Sequence, residues 1–168
     1  MTNTVVFEKT RPGVPAPHRA HDGDIGVDLV AYDVVDNTNE PIERRSVKDE
    51  TTGEFTTQYL VNPGKTITFH TGIKTAVPQG YGLFLFVRSS LGFKRGLVLA
   101  NGTGLIDSQY RGEILVKLHN MSNKPQTITH LERIVQGAVL PVNTTAWVEG
   151  VLDETERGEG GFGSSGTH

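Results

Sequence analysis

A period-two alternation of apolar and polar side chains in Glu113-Ile114-Leu115-Val116-Lys117-Leu118-His119 predicts a half-buried β-strand. The same alternation occurs in Gly64-Lys65-Thr66-Ile67-Thr68-Phe69-His70-Thr71 and in Gln126-Thr127-Ile128-Thr129-His130-Leu131. Leu83-Phe84-Leu85-Phe86-Val87 is a short apolar run of the kind that forms a buried strand. Turn signals such as Asn62-Pro63-Gly64 separate these segments. Many short strands at this spacing predict an all-β sandwich, barrel or jelly roll.

Composition narrows the class of protein. The 168 residues fit one domain, and a formal charge of −3 gives no electrostatic reason to bind duplex nucleic acid or an anionic membrane. The chain has no Cys, which excludes disulfides and thiolate metal sites. It also lacks a signal-like N-terminus and any apolar run of spanning length, so we expect a soluble intracellular protein with no membrane partner.

Two segments differ in composition from the rest. Residues 36–58 are polar and mixed in charge, which predicts a surface insertion with a hairpin around Thr52-Gly53. Residues 157–168 are rich in Gly and Ser, as in a flexible end, yet they include Arg157 and Phe162, which a plain linker does not need. We therefore divide the chain into a β domain, 1–156, and a mobile tail, 157–168.

Arg88-Ser89-Ser90-Leu91-Gly92 follows the apolar strand and opens the one helix that we predict, with a Ser as N-cap and Gly96 as its stop. Backbone N–H groups at a helix start favour an anion, and an Arg with two hydroxyls beside them would form a phosphate site. The alternative is that Ser89 only caps the helix and Arg88 is solvated.

Gly104-Leu105-Ile106-Asp107-Ser108-Gln109-Tyr110-Arg111-Gly112 lies between strand-like segments. A carboxylate at Asp107, held at the edge of an apolar layer, could orient a water and accept its proton. The alternative is an Asx-turn at a hairpin tip, with Tyr110 packed on the strands.

Three further patterns are weaker. Asp24 and Asp28 are four residues apart, which places them on one face of a strand, where they could hold Mg²⁺ through water or simply be surface acids. Gln136 at a strand could donate to a phosphate or a base. The six His show no metal-ligand spacing, so a transition-metal site is not expected.

Taken together, these segments resemble the trimeric deoxyuridine triphosphatase (dUTPase) family, whose five motifs occur in order from Asp24 to Gly166. The motifs here are Ile25-Gly26-Val27-Asp28-Leu29, Arg88-Ser89-Ser90-Leu91-Gly92, Gly104 to Gly112, Glu132-Arg133-Ile134-Val135-Gln136, and Arg157 to Gly166. Ile25 stands where the family usually has Ala, and Gly137 where it has a bulky apolar residue.

The resemblance implies hydrolysis of dUTP to dUMP and pyrophosphate, which keeps uracil out of DNA and supplies dUMP for thymidylate synthesis. Asp107 would be the general base for in-line attack of water on the α-phosphorus. Mg²⁺ would bridge the phosphates, with Asp28 reaching it through water. The implied substrate-binding residues are Arg88, Ser89, Ser90, Asn101, Gly104, Ile106, Tyr110, Gln136, Arg157, Phe162, Gly163, Ser164 and Ser165.

These residues divide by role in the resemblance. Arg88, Ser89 and Gln136 would bind phosphates, and a hairpin from Asn101 to Tyr110 would read the uracil edge. Tyr110 would exclude a 2′-hydroxyl. In the closing tail, Phe162 would stack on uracil, while Arg157, Ser164 and Ser165 would bind the γ-phosphate.

The family fold implies a jelly-roll-like β barrel with one short helix, assembled as a homotrimer in the cytoplasm of a cell, or of a host cell if the chain is viral. Each site would take motifs one, two and four from one chain, the third from a second and the fifth from a third. No role is implied for residues 36–58, and a protein partner for them stays open.

Two rival functions remain. dCTP deaminases resemble this family but carry a catalytic Glu at the position that we align with Lys117, and a Lys cannot do that acid–base work at neutral pH. An inactive regulatory protein on the same fold is the other rival, against which Asp107, Tyr110, Arg157 and Phe162 argue because they are intact.

Overall fold

The computed structural model describes residues 4–35 and 42–161. Within them the strands are β1 (Val6–Lys9), β2 (Val27–Val30), β3 (Asp33–Val34), β4 (Arg44–Lys48), β5 (Phe55–Val61), β6 (Thr66–His70), β7 (Ile73–Ala76), β8 (Tyr81–Val87), β9 (Leu97–Leu99), β10 (Gly104–Ile106), β11 (Leu115–Asn120), β12 (Gln126–Thr129) and β13 (Arg133–Pro141). One helix, α1 (Ser89–Arg95), lies between β8 and β9. The predicted all-β class with one short helix is confirmed.

The strands form four antiparallel sheets around a shared apolar core. Their orders are β1-β7, β10-β8-β13-β2, β3-β6-β11-β9 and β12-β5-β4. The second of these is called the site sheet below. Alternate side chains point into the core, as in β11, where Val116 and Leu118 are buried and Leu115 and Lys117 are exposed. Burial of every second side chain in the core therefore holds the sheets together.

The apolar run in β8 is buried on one face only, which corrects the expected fully buried strand. Leu83 and Leu85 are 3% and 2% exposed, whereas Phe86 is 39% exposed. Phe84 pairs with Leu105 of β10, and Phe86 pairs with Gln136 of β13, so these side chains share the outer face of the site sheet. The part of that face formed by Phe84, Phe86 and Leu105 is apolar and partly exposed in the single chain.

Asn120, at the end of β11, is fully buried and uses its whole amide group. Its Nδ2 donates to the carbonyls of Val61 and Lys124, both at 2.8 Å. Its Oδ1 accepts from the backbone N–H and the hydroxyl of Ser122, at 2.9 and 2.7 Å. A buried amide satisfied in this way fixes the β11–β12 turn against β5.

The described part of the polar insertion forms the β4–β5 hairpin, in which Lys48 pairs with Phe55. The Asp49 carboxylate accepts the N–H groups of Thr51 and Thr52 at 2.7 and 3.0 Å, and the Thr52 and Thr51 N–H groups lower the pKa of Asp49. Gly53 has a φ of +75°, which suits this turn. Residues 36–41 of the insertion lie outside the described residues. Across the described ranges, no helix is both long and apolar enough to cross a membrane.

Candidate active site

A polar cleft of about 490 Å³ lies at the end of β8, and we call it the Arg88 cleft. Its lining residues are Ala20, Gly23, Asp24, Ile25, Gly26, Asp28, Arg88, Ser89 and Gln136. Pairing of β2, β13 and β8 produces this grouping, because Asp28 lies opposite Gln136 and Gln136 opposite Phe86. Motifs one, two and four, which are distant in sequence, therefore meet in one cleft.

Asp28 is held between two guanidinium groups at the floor of the cleft. Arg88 Nε lies 3.2 Å from Asp28 Oδ1, and Arg133 Nη1 donates to Asp28 Oδ2 at 3.0 Å. The Asp28 side chain is only 12% exposed, whereas Arg133 is 46% exposed. A charge-assisted pair of this kind fixes the direction of Arg88.

Arg133 is a site residue that the sequence did not predict. Strict alternation along β13 would place Arg133 and Gln136 on opposite faces of the sheet. A register shift between Arg133 and Val135 interrupts that alternation, with both Ile134 and Val135 buried. The only available signal was the Arg itself, because a bulge of this kind has no clear mark in the sequence.

The helix start differs from the prediction in one detail. Arg88 is the N-cap residue, with extended φ and ψ of −66° and 141°, and no side chain caps the helix. Ser89 and Ser90 are the first helical residues, exposed and half-buried respectively. The Ser N-cap was therefore wrong, because the chain turns one residue earlier, where the Arg88 carbonyl accepts the Leu91 and Gly92 N–H groups. The predicted stop at Gly96 is confirmed by its φ of +64°.

The helix that begins in motif two is also linked to motif four. Arg95, at the end of α1, pairs with Glu132 and donates to the carbonyl of Thr127. Glu132 in turn accepts the Thr129 N–H at 2.9 Å. This chain of contacts joins α1 to the turn before β13 and hence to Gln136.

The two departures from the family pattern have different surroundings. Ile25 is 74% exposed at the rim of the Arg88 cleft. A Cβ added at Gly137 would lie 2.8 Å from Leu83 Cδ1 and 3.4 Å from Leu85 Cδ2. Leu83 and Leu85 therefore occupy the volume that a bulky residue at position 137 would need.

A second cavity, of about 380 Å³, is called the Asn101 cavity. Its lining residues are Leu85, Leu99, Ala100, Asn101, Gly104, Leu115, Val116 and Lys117. A Cβ added at Gly104 would lie 2.9 Å from Leu85 Cβ, so Gly104 lets β10 approach β8 closely. Ile106, two residues on, pairs with Leu83 and packs against the core.

Asp107 and Tyr110 form the turn that follows β10. The Tyr110 N–H donates to the Asp107 carbonyl at 3.1 Å, which is a backbone turn and not an Asx-turn. The Asp107 side chain is exposed and has no hydrogen bond or ion pair with any residue in 4–35 or 42–161. The Asp107 carboxylate is therefore not used to close the turn, and the alternative of an Asx-turn at this position is wrong.

Contacts with Glu113 and Gly112 fix the position of Tyr110. Its hydroxyl donates to the Glu113 carbonyl at 3.0 Å. The ring lies over Gly112, where an added Cβ would be 2.3 Å from the Tyr110 hydroxyl oxygen. Glycine at position 112 thus allows Tyr110 to fold over the chain and present its ring to solvent.

The Glu113 side chain anchors the same turn to the core. Its carboxylate accepts the Gly72 N–H at 2.7 Å, contacts His70 Nδ1 at 3.0 Å and accepts from Arg11 Nε at 3.5 Å. Burial raises the pKa of Glu113, but the hydrogen bonds from Gly72, His70 and Arg11 outweigh burial and lower the pKa below its ordinary value. Sequence reasoning did not assign a role to Glu113.

Asp107 and Arg88 lie at opposite ends of β8 in one chain. Ile106 pairs with Leu83, so Asp107 follows on beside Gly82, whereas Arg88 comes six residues later. At a rise of about 3.3 Å per residue, this is roughly 20 Å of strand. A single chain therefore does not bring Asp107 to the Arg88 cleft.

Arg157 is exposed, and its Nε donates to the Gly160 carbonyl at 2.9 Å. Within the described part of the chain it contacts neither cavity. Phe162, Gly163, Ser164 and Ser165 lie outside the described residues.

The Arg88 cleft fits Mg²⁺ only in the mode that uses substrate oxygens. No group of three or more His, Asp or Glu residues able to hold a metal occurs among the described residues. Mg²⁺ commonly binds one or two carboxylates together with substrate phosphates and waters. Asp28 offers one fixed carboxylate there, with Asp24 also lining the cleft.

Comparison with known proteins identifies the family. The dUTPase family model matches residues 54–166. A deoxyuridine 5′-triphosphate nucleotidohydrolase of Thermobifida fusca is 37% identical over 170 residues, covering 99% of this chain and 81% of that protein. The enzyme of the same name from Escherichia phage T5 is 46% identical over 109 residues, covering 64% of this chain and 73% of that one.

Solved structures share the fold. A mutant dUTPase of Staphylococcus bacteriophage 80alpha, 24% identical, has a TM-score of 0.75 and covers 98% of this chain and 100% of that one. A second mutant of that dUTPase, solved with dUpNHpp, has a TM-score of 0.73 at 24% identity, covering 99% of this chain and 100% of that one. The family model, the Thermobifida relative and the shared fold agree that this chain belongs to the dUTPase family.

Proposed function

We propose that this protein hydrolyses dUTP to dUMP and pyrophosphate. The observation that carries the proposal is the Asp107 carboxylate, which is exposed and uncommitted within the described residues of a dUTPase-family chain. The relatives above are named as nucleotidohydrolases of deoxyuridine 5′-triphosphate, which supports dUTP as the substrate. An intact, available base argues against an inactive regulatory protein.

The Arg88 cleft is suited to the phosphates. Arg88 supplies positive charge whose direction Asp28 fixes, Ser89 and Gln136 line the same cleft, and Ser90 follows Ser89 at the helix start. Charge-assisted hydrogen bonds from a fixed guanidinium are among the strongest phosphate contacts.

The Asn101 cavity is suited to the nucleoside. Its walls are mostly apolar, and the Asn101 amide can donate to and accept from a uracil edge. Gly104 lines it at the start of β10, Ile106 ends that strand, and the Tyr110 ring beyond them would pack on the deoxyribose. A 2′-hydroxyl would meet that ring.

Asp107 would act on the α-phosphorus. Its carboxylate orients a water and takes its proton as the water oxygen bonds to phosphorus, and the bond to the pyrophosphate oxygen breaks in line. When bound, Mg²⁺ offsets the negative charge on the phosphate oxygens. Asp28 would hold it through water.

We propose that three chains share each site in a homotrimer. Asp107 is about 20 Å of strand from Arg88 in one chain, so a complete site needs Asp107 from a neighbour. The outer face of the site sheet, with Phe86 and Leu105 exposed at 39% and 59%, offers an apolar surface for that neighbour. Trp147 and Val151, at 97% and 102%, are likewise uncovered in the single chain.

The tail would complete the site from a third chain. Arg157 is exposed beyond these apolar residues and would leave its hydrogen bond to the Gly160 carbonyl to bind a γ-phosphate with Ser164 and Ser165, while Phe162 would stack on uracil next to Gly163. Closure of such a segment excludes water from the reaction. We place the activity in the cytoplasm, where it would keep uracil out of DNA and supply dUMP.

A nucleotide panel tests the proposal. Pyrophosphate release is measured with dUTP, dCTP, dTTP and UTP, with and without Mg²⁺, and ammonia release is measured from dCTP. We expect Mg²⁺-dependent pyrophosphate from dUTP and, in ¹⁸O-labelled water, label in dUMP. Label in pyrophosphate would contradict attack on the α-phosphorus, and ammonia from dCTP would favour a deaminase.

A further inference from the structure

Lys117 lies in the wall of the Asn101 cavity. It is exposed on β11, on the same face as Leu115, because Val116 and Leu118 point into the core. The Ala100 N–H donates to the Lys117 carbonyl at 2.9 Å, which places Lys117 beside the residue that precedes Asn101. The pairing of β11 therefore fixes the position of the Lys117 Cα atom.

Lys117 and Asn101 supply the two polar side chains among the residues that line this cavity. The others are apolar side chains of Leu85, Leu99, Ala100, Leu115 and Val116, together with Gly104. The Lys117 ammonium makes no hydrogen bond or ion pair with any residue that the structure describes. A lysine and an asparagine therefore line one largely apolar cavity, and the lysine ammonium has no partner among the described residues.

The chemistry of the two groups differs. An Asn amide can donate and accept, whereas an ammonium can only donate. Uracil carries carbonyl acceptors at both O2 and O4, but cytosine carries an amino donor at position 4. An ammonium that faces position 4 would thus favour binding of uracil and disfavour binding of cytosine.

We propose that Lys117 donates a hydrogen bond to O4 of uracil and is a specificity-determining residue against cytosine. The inference rests on the proposed function, because it places uracil in the Asn101 cavity. With cytosine bound, the ammonium would face an amino group, and both donors would lose their partners on leaving water.

The test uses full-length wild-type protein and the variant Lys117→Met, which keeps a side chain of similar length and removes the hydrogen-bond donor. The kcat/KM values for pyrophosphate release are measured with dUTP and dCTP. We expect the preference for dUTP to fall by about tenfold or more in Lys117→Met, given the usual worth of a hydrogen bond to a charged group. Lys117→Arg, which keeps a cationic donor, should retain part of the preference.

Lys124→Met is the matched control, since Lys124 is exposed in the β11–β12 turn and lines neither cavity. The preference of Lys124→Met for dUTP over dCTP should equal that of wild type. An unchanged dUTP preference in Lys117→Met would overturn the proposal, because Lys117 would then not read position 4.

A second measurement changes the base. The triphosphate of 2-pyrimidinone deoxyriboside lacks O4 and also the N3–H, so its kcat/KM is compared with that of dUTP in both wild type and Lys117→Met. The loss relative to dUTP should be about tenfold or more larger in wild type. An equal loss in the two proteins would overturn the proposal. The affinities of dUMP and dCMP for wild type and for Lys117→Met are also measured by calorimetry. These affinities test the role of Lys117 even if wild type releases no pyrophosphate. Absence of pyrophosphate release would refute the proposed function and not the role of Lys117.

Discussion

Arg88 and Asp28 form an ion pair, with Nε 3.2 Å from Oδ1, at the floor of the cleft that also contains Gln136. The second oxygen of Asp28 accepts from Arg133 at 3.0 Å. One carboxylate therefore holds two guanidiniums, one from the N-cap of α1 and one from β13. In the proposed function this cleft holds phosphates, so Asp28 has a positioning role besides any role toward Mg²⁺.

Asp28→Asn tests that positioning role. The amide offers one acceptor oxygen in place of two charged ones, so Arg88 and Arg133 lose their common anchor. We expect kcat/KM for dUTP to fall by about tenfold or more, and the Mg²⁺ concentration for half-maximal rate to rise. Asp22→Asn, an exposed carboxylate with no bond to Arg88, is the control. Wild-type kinetics in Asp28→Asn would refute the role.

Tyr110 is expected to exclude ribonucleotides. Tyr110→Ala removes the ring over Gly112 and should raise UTP hydrolysis relative to dUTP, measured as the ratio of kcat/KM values. Tyr110→Phe keeps the ring and loses only the hydrogen bond to the Glu113 carbonyl, so it should retain most of the discrimination. If both variants discriminate as wild type does, another group reads the sugar.

The sequence predicted the strands well because burial on one face imposes a period-two pattern that local reading detects. The structure also brings Asp28, Arg88 and Gln136 into one cleft, and the sequence grouped these residues only through a family resemblance. Arg133 was missed because a bulge changes the face of the strand, and Glu113 because its partners Gly72 and Arg11 are distant in sequence. Such long-range contacts depend on the assembled sheets and not on local patterns.

Glu113 should make stability depend on acid pH. Its pKa is lowered in the folded state, so its contribution is present above the ordinary Glu pKa of about 4.3 and is lost as pH falls through the lowered value. Urea unfolding of wild type and Glu113→Gln should differ in free energy at pH 7. The difference should shrink toward pH 3. A difference independent of pH would mean that the Glu113 charge does not contribute.

Gly137 should resist the bulky residue usual in the family. Gly137→Val would press against Leu83 and Leu85, and overpacking of this kind typically costs about 1–3 kcal/mol in the free energy of unfolding. Gly150→Val is the matched control, since a Cβ there meets nothing within 4 Å. Urea titrations measure both, and a Gly137→Val protein as stable as wild type would show that Leu83 gives way without cost.

The shared site is tested most directly by mixing two inactive proteins. Asp107→Asn lacks the proposed base, and its rate should fall by about 10² or more. Arg88→Ala lacks the proposed phosphate-binding cation. Each parent should be nearly inactive while it remains a folded trimer by native mass spectrometry.

Co-refolded at equal amounts, the two variants should form mixed trimers in which about one site in three combines an intact Arg88 with an intact Asp107 from a neighbouring chain. Random assembly therefore predicts recovery of about a quarter of wild-type dUTP turnover. Mixed trimers, verified by mass, that stay as inactive as either parent would contradict the account, because Asp107 and Arg88 would then have to act from the same chain.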